Sequence, residues 1–265
     1  MRNNILRSKI EEDEISIGTR MMTPWPGMVE IIGETGKMDY VEFSSEYSPY
    51  DLFTFDNLAR ASEIYDLSMM IKVDQALQRY LAQRALGAGF QNVLFTDIRT
   101  VEDAKDCVRA VRAETPKTGG LFPCTARRNV GYLREGGTPE FVQALEDAVV
   151  ALMIEKKPAM ENLEDILSVD GVDMVQFGPC DYAMSIGKPG EYSHPEVVEA
   201  EQRMIEAALD HDVQPRAEIL QPGDAKKYYK MGVRHFNINV DISIVHNWIE
   251  EKGAELRDIL SELPE

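Results

Sequence analysis

The sequence predicts an α/β protein, a (β/α)8 TIM barrel with an N-terminal helix, formed by residues 1–265 as a single domain. Two observations indicate this fold. Short apolar or β-branched segments alternate with longer segments in which apolar residues recur every three or four positions. The length of 265 residues is close to that of a typical barrel of this kind. A doubly wound open sheet is the rival fold, but no glycine-rich phosphate loop follows the first predicted strand, where 23–27 reads TPWPG.

The predicted elements follow one another along the chain in that alternating order. The charged segment 1–14 is expected to form the first helix, and helical periodicity is clearest at 75–87 and 100–114. The predicted strands are 17–22, 39–44, 68–73, 91–96, 148–154, 173–178, 213–219 and 234–240. The predicted helix N-caps are Asp56, Thr100 and Asp241, and the predicted helix C-terminal glycines are Gly87, Gly232 and Gly253.

Segment 115–140 is long and rich in glycine, proline and arginine. In a barrel we expect it to form an extended loop over the mouth, where substrates are usually recognised. Arg127 in this segment is a candidate to bind an anionic substrate, and a solvated surface position is the alternative for it.

The net charge of −18 and the pI near 4.7 exclude some classes of partner. Such a surface repels phosphate backbones and anionic membranes, so we expect neither nucleic acid nor membrane binding. No apolar segment is long enough to span a bilayer, and the N-terminus has no secretory signal. The three widely spaced cysteines indicate a reducing compartment, and a cytoplasmic protein is expected.

Two acidic residues stand where predicted strands five and six end. Glu155 follows 148–154, and Asp181 follows the Gly-Pro turn after 173–178. Active sites of parallel β/α proteins lie at the carboxyl ends of the strands. Two carboxylates on neighbouring strand ends offer oxygen ligands to a hard divalent cation. The structural alternatives are that Glu155 caps a helix or pairs with an adjacent lysine, and that Asp181 is an N-cap.

Lys72 and Tyr47 are further candidates at the ends of predicted strands three and two. Lys72 closes a very apolar strand, and a buried ammonium needs a partner or an anionic ligand. It is expected to hold a substrate carboxylate, to act as a Schiff-base nucleophile, or only to pair with a nearby acid. Tyr47 is a candidate proton donor, and a wall residue is the alternative for it.

From about residue 15 to about residue 250, and most strongly at 153–187, the sequence resembles the HpcH/HpaI aldolase family, which consists of metal-dependent pyruvate aldolases built on a (β/α)8 barrel. The segment carries a glutamate after an apolar strand, then NL-x-x-IL-x-V-x-G-V-D, then GP-x-D. The resemblance implies that Glu155 and Asp181 bind Mg²⁺, Mn²⁺ or Co²⁺. It also implies that the backbone amides at Cys180 and Asp181 bind the substrate carboxylate.

The sequence departs from the family pattern around this core. The histidine used by the family for acid/base chemistry is Tyr47, and its supporting aspartate is Ser44. The family arginine that stabilises the enolate corresponds to Lys72, and a glutamine near the metal corresponds to Met153. On strand seven, a usually apolar position facing the substrate is Glu218. The proton-transfer groups therefore differ from those of the family, and a changed substrate or reaction is expected.

These observations predict a carbon–carbon lyase of the aldolase type that acts on a 2-keto acid through a metal-stabilised enolate. Tyr47, Lys72 and Glu218 are the predicted catalytic residues. The alternatives are a Schiff-base aldolase that uses Lys72, and a non-catalytic barrel that binds a small acid. The resemblance also implies a homo-oligomer, a hexamer in the family. The last predicted helix is a candidate subunit contact, and packing against its own barrel is the alternative.

Overall fold

The computed structural model describes residues 2–263, which form a closed barrel of eight parallel strands in the order β1 to β8. β1 pairs with β8, with Ser16 opposite His235, and this pairing closes the barrel. The strands are β1 Ser16–Met21, β2 Tyr40–Ser44, β3 Ser68–Val73, β4 Asn92–Phe95, β5 Val149–Ile154, β6 Met174–Phe177, β7 Gln214–Ile219 and β8 His235–Val240. The predicted (β/α)8 barrel is therefore confirmed, and each predicted strand overlaps an observed one.

Helices precede β1 and follow every strand. The helices are α1 Ile5–Glu11, α2 Pro26–Glu34, α3 Leu52–Ile64, α4 Gln78–Ala88, α5 Val101–Val111, α6 Pro139–Glu146, α7 Lys157–Glu161, α8 Leu163–Leu167, α9 Pro179–Ser185, α10 Pro195–Asp210, α11 Ala225–Lys230 and α12 Asp241–Ser261. The predicted N-terminal helix is α1. Its residue Leu6 is buried against the barrel interior, so α1 closes the barrel at the amino ends of the strands.

Some of the predicted helix boundaries are confirmed. Thr100 caps α5, because its hydroxyl accepts the Asp103 N–H while the Asp103 carboxylate accepts the Thr100 N–H. Gly232 follows α11 with a φ of 101°, a left-handed conformation that favours glycine.

The other boundary predictions are wrong. Asp56 lies inside α3, which is capped by Asp51 instead. Gly87 and Gly253 lie within α4 and α12, and Gly89 ends α4. Asp241 is the first residue of α12 rather than its N-cap.

The segment at 115–140 lies at the opposite end of the barrel from the mouth, so that prediction is wrong. It connects the end of α5 to α6 and the start of β5, and such a helix-to-strand connection lies at the amino ends of the strands. Arg128 donates to the carbonyl of Ala88 at 3.0 Å, and Asn129 donates to that of Leu86 at 2.8 Å. Both acceptors belong to the last turn of α4.

The last helix, α12, leaves its apolar residues uncovered. Within its 21 residues only Asp241 is buried, and Trp248 is 64% exposed. Part of the outer surface of β1 is also exposed, since Ile17 is exposed whereas the outward-facing Phe43 and Ile71 are fully buried. Among residues 2–263, no helix has the length and apolar character that crossing a membrane requires.

Candidate active site

A cavity of about 570 Å³ opens at the carboxyl ends of the strands. Its walls come chiefly from the ends of β3, β5, β6 and β7 and from α9 and α10. The structure brings into this cavity all but one of the predicted site residues, namely Tyr47, Lys72, Glu155, Cys180, Asp181 and Glu218. Arg127 is the exception. It lies against Gly87 of α4 in the outer helical layer and does not line the cavity.

Glu155 is a buried carboxylate with one oxygen already bound. Its Oε1 accepts the backbone N–H of Asp97 at 2.8 Å, and its side chain is almost completely enclosed. Burial raises the pKa of Glu155, and the negative charge of Asp181 acts in the same direction. Glu155 and Asp181 line the same cavity, so both carboxylates are candidates to bind one cation.

Asp181 is paired with a lysine from the neighbouring strand end. The Lys156 ammonium lies 2.6 Å from Asp181 Oδ1 and 2.9 Å from Asp97 Oδ1. An adjacent lysine was one structural alternative for Glu155, but Lys156 contacts these two aspartates instead. The sequence did not show this, because Asp97 comes from the loop after β4 and only the closed barrel brings the three residues together.

The turn between β6 and α9 passes very close to Glu155. A Cβ on Gly178 would lie 2.6 Å from Glu155 Oε2 and 2.6 Å from Glu155 Cβ, so only glycine fits here without a shift. Pro179 opens α9, and the Tyr182 N–H donates to the Gly178 carbonyl at 2.9 Å. The amides of Cys180 and Asp181 precede this first helical bond and have no partner within the helix.

Lys72 lies at the end of β3 and holds two groups from the loop after β2. Its Nζ is 2.8 Å from Glu46 Oε2 and donates to the Tyr47 hydroxyl oxygen at 3.0 Å. Burial alone would lower the pKa of Lys72, but the oxygens of Tyr47 and Glu46 outweigh it and raise the pKa above its usual value. Burial also raises the pKa of Tyr47, which Lys72 only partly opposes. At neutral pH this is an ammonium beside a protonated phenol.

Beneath Lys72, a buried polar network crosses the barrel interior. Arg216 of β7 is fully buried, pairs with Glu42 of β2 and donates from Nε to the Tyr40 hydroxyl at 2.9 Å. Ser44 donates to the other Glu42 oxygen at 3.1 Å. Burial would raise the pKa of Glu42, but Arg216 and the other nearby cations lower it below its usual value. This network fixes the base of the cavity.

Glu218 is held by Arg20 and Gln176, two residues that no motif in the sequence marks. Arg20 of β1 contacts both of its oxygens, with Nη2 2.9 Å from Oε1 and Nη1 3.3 Å from Oε2. Gln176 of β6 donates from Nε2 to Glu218 Oε2 at 3.0 Å. The available signal for Arg20 and Gln176 was that each is a polar residue inside an otherwise apolar strand, at 17–22 and 173–178. The sequence could not pair them with Glu218, because the three strands are far apart along the chain.

The fold and the site together define a (β/α)8-barrel enzyme whose acidic and basic groups meet at the carboxyl ends of the strands. Comparison with known proteins identifies the family. The family model for HpcH/HpaI aldolase/citrate lyase matches residues 26–243, and the chain belongs to this family. The predicted resemblance is confirmed, and so is the predicted class of enzyme, an aldolase-type carbon–carbon lyase.

Individual relatives match over nearly their whole length. The pyruvate aldolase of Rhizobium etli is 31% identical over 95% of this chain and 96% of its own length. The 5-keto-4-deoxy-D-glucarate aldolase of an Enterobacter species is 28% identical over 91% of this chain and 92% of its own. The crystal structure of an HpcH/HpaI aldolase/citrate lyase family protein from Burkholderia cenocepacia has a TM-score of 0.87 at 25% identity, covering 96% of this chain and 100% of that one.

Proposed function

We propose that this protein is a divalent-cation-dependent carbon–carbon lyase that acts on a 2-keto acid such as pyruvate or its aldol adducts. The observation that carries the proposal is the presence of Glu155, Asp181 and Lys72 in one cavity at the carboxyl ends of the strands. The names of the relatives support the choice of a keto acid, since two of them are aldolases of keto acids.

The residues present fit a hard divalent cation, Mg²⁺, Mn²⁺ or Co²⁺, held by Glu155 and Asp181. Residues 2–263 contain no cluster of three or more acidic, histidine or cysteine ligands, so the protein would offer these two carboxylates and leave the other positions to substrate and water. The Asp97 amide donates to Glu155 Oε1 at 2.8 Å and orients the carboxylate that would bind the cation. When bound, the cation would stabilise the negative charge that develops on the keto oxygen.

The residues of this chain then orient the keto acid and offset its charge. The amides of Cys180 and Asp181 are proposed to hold the substrate carboxylate. An ammonium has three N–H donors, of which one on Lys72 donates to Tyr47, while Glu46 lies 2.8 Å away as an ion pair. A remaining donor is proposed to bind the keto oxygen, where charge develops as the bond between C3 and C4 breaks.

Tyr47 is proposed to supply a proton. When the bond between C3 and C4 breaks, the C4 hydroxyl loses its proton to water and leaves as the aldehyde. The electron pair stays with the keto acid, which must take a proton at C3. A phenol with a raised pKa keeps its proton at neutral pH and can donate it there. Tyr47 is half exposed, so solvent can return the proton afterwards.

Glu218, the third residue predicted to be catalytic, is less suited to move protons. Both of its oxygens are bound by Arg20 and Gln176, so it is proposed to orient these two residues instead.

The Schiff-base alternative requires a neutral lysine. Lys72 is an ammonium held by Glu46 and Tyr47 with a raised pKa, which is the opposite of the depressed pKa that a nucleophilic lysine needs. Reduction with borohydride in the presence of pyruvate is therefore expected to leave Lys72 unmodified. A covalent adduct on Lys72 would contradict the cation-dependent proposal.

The proposal is tested by assaying a panel of 4-hydroxy-2-keto acids with Mg²⁺ or Mn²⁺. EDTA and the Glu155→Gln variant are each expected to lower kcat by about 100-fold or more, because a ligand of the charge-stabilising cation is lost. The matched control is Glu161→Gln on the exposed surface of α7, expected to stay within about twofold of the wild type. Tight cation binding without turnover of any compound would favour the non-catalytic barrel.

We also propose that the protein is a homo-oligomer, a hexamer as the family resemblance implies, in which α12 of one copy covers a second copy. Trp248, Ile249 and Leu256 of α12 are each more than half exposed within the described part of this chain. An apolar groove of about 380 Å³ lies on the outer surface of β1 and β8, lined by Ile15, Ile17, Phe236 and Ile238 among others. In a (β/α)8 barrel a helix covers this surface, and the helix that follows β8 extends away from it.

A further inference from the structure

Lys156 places a positive charge against the carboxylates that are proposed to bind the cation. Its ammonium lies 2.6 Å from Asp181 Oδ1 and 2.9 Å from Asp97 Oδ1. Lys156 also follows Glu155 directly in the chain, so its Cα lies about 3.8 Å from that of the other proposed ligand. The proposed chemistry gives this lysine no role, and its side chain does not line the cavity. Lys156 therefore influences the site through these carboxylates and not by contact with the substrate.

Asp97 holds Lys156 in this position and connects it to Glu155. The backbone N–H of Asp97 donates to Glu155 Oε1 at 2.8 Å, while its carboxylate contacts the Lys156 ammonium. Asp97 has a φ of 60°, a left-handed conformation that aspartate adopts more readily than most residues other than glycine. One residue of the loop after β4 thus fixes both a proposed ligand and the lysine. The ammonium is therefore kept beside the site even without its contact to Asp181.

An ammonium and a divalent cation compete for the same carboxylate oxygens. Lys156 already donates to Asp181 Oδ1, and its side chain is only 16% exposed, so solvent screens this contact only in part. A divalent cation binds about 2 Å from a carboxylate oxygen, which places it within about 7 Å of the ammonium on either oxygen of Asp181. Two positive charges this close repel each other. The cation must therefore displace the ammonium or bind against its charge, and both weaken its binding.

We propose that Lys156 is an internal competitor for the divalent cation at Glu155 and Asp181. The ammonium pairs with Asp181 until a cation displaces it, and Asp97 keeps the displaced side chain beside the site. The site therefore binds its cation more weakly than the two carboxylates would without the lysine. Occupancy of the site then follows the concentration of the free cation. This inference rests on the proposed function, and Lys156 acts through Asp181 as a positioning residue.

The test is calorimetric titration of Mn²⁺ into the whole chain without substrate. Lys156→Met keeps the apolar stem of the side chain and removes its charge. This variant is expected to bind Mn²⁺ about tenfold more tightly than the wild type. A hydrogen bond between charged groups supplies a factor of about 10 to 100, and the lower end applies because Asp181 is 41% exposed. Lys156→Gln also lacks the charge, is expected to show the same gain, and replaces the methionine variant if that one does not fold.

Two further variants separate the charge of Lys156 from its packing and from the net charge of the protein. Lys156→Arg keeps a positive charge beside Asp181 and is expected to bind Mn²⁺ within about threefold of the wild type. Lys157→Met is the matched control, because it removes the same charge from the next residue, whose side chain is 59% exposed and lies 3.6 Å from Glu161. It is also expected to stay within about threefold. Urea unfolding of each sample without Mn²⁺ checks that the titrated protein is folded.

The outcomes separate this inference from the proposed function. If Lys156→Met binds Mn²⁺ as the wild type does, or more weakly, the inference is refuted while the cation site stands. An equal gain in Lys156→Arg or Lys157→Met also refutes it, because the gain then does not come from the charge at this position. If only the variants that lack this charge bind Mn²⁺, the inference stands and the cation-dependent function of the wild type fails. If no protein binds Mn²⁺, both fail.

Discussion

Replacing Gly178 with alanine is expected to displace the Glu155 carboxylate. The added Cβ would lie 2.6 Å from Glu155 Oε2, whereas ordinary van der Waals contact begins at 3.4 Å. The turn and the carboxylate must therefore separate by about 0.8 Å, in a region packed too tightly to absorb the shift elsewhere. Glu155 is also held by the Asp97 N–H at 2.8 Å, so its movement stretches that hydrogen bond.

The size of the effect follows from this displacement. A misplacement of about 1 Å in a positioned group lowers the rate by about 100-fold, or about 2.7 kcal/mol in the barrier. Overpacking is expected to lower the free energy of unfolding by about 1–3 kcal/mol as well. The loss of activity in Gly178→Ala should therefore exceed what the loss of folded protein explains.

The assay is aldol cleavage measured by pyruvate release, together with calorimetric titration of Mn²⁺ and urea unfolding of the same samples. The control is Gly223→Ala, because a Cβ on Gly223 meets no atom within 4 Å. It is expected to keep the activity and cation affinity of the wild type. If the Gly178→Ala variant keeps the activity and the Mn²⁺ affinity of the wild type within about threefold, the close approach of this turn does not position Glu155.

Two further predictions concern stability and assembly. Burial lowers the pKa of His235 from 6.5 to about 4, so the unfolded chain takes up the proton first as the pH falls. His235 is therefore expected to lower the free energy of unfolding by about 2 kcal/mol between pH 7 and pH 5, as measured by urea unfolding. The His235→Gln variant should not show this decrease, whereas the control variant His246→Gln should show it in full. An equal loss in all three proteins would contradict the assignment. For assembly, Trp248→Glu is expected to shift the mass measured by light scattering toward the 29.9 kDa monomer, and Asn247→Glu is not. A monomeric wild type would rule out the role of α12.

The strands were predictable because their signal is local. Most barrel strands are short apolar runs, and the run itself marks its bounds to within one or two residues. The helix caps were harder, since Asp51 and Asp56 lie five residues apart and both precede apolar residues. The position of 115–140 was predictable in principle, because a segment that follows a helix and precedes a strand must lie at the amino ends of a barrel's strands. The glycine, proline and arginine content of the segment alone suggested a loop at the carboxyl ends of the strands, which is the wrong end of the barrel.

The site was predictable only where its residues mark strand ends. Glu155, Asp181 and Lys72 stand at such points, and the barrel brings them to one cavity. The pairs that set their environment join strands distant in sequence, as Arg20 of β1 does with Glu218 of β7. Such pairs depend on closure of the sheet, which no local pattern encodes.

The contact between Lys156 and Asp181 has a consequence for how folding relates to the cation. Proteins that hold a metal between uncompensated ligands often fold only when it is present. Here a tethered ammonium already lies 2.6 Å from Asp181 and 2.9 Å from Asp97. A divalent cation would displace the Lys156 ammonium rather than bind carboxylates that have no positive partner. On the proposed function, the barrel would therefore fold first and bind a cation afterwards.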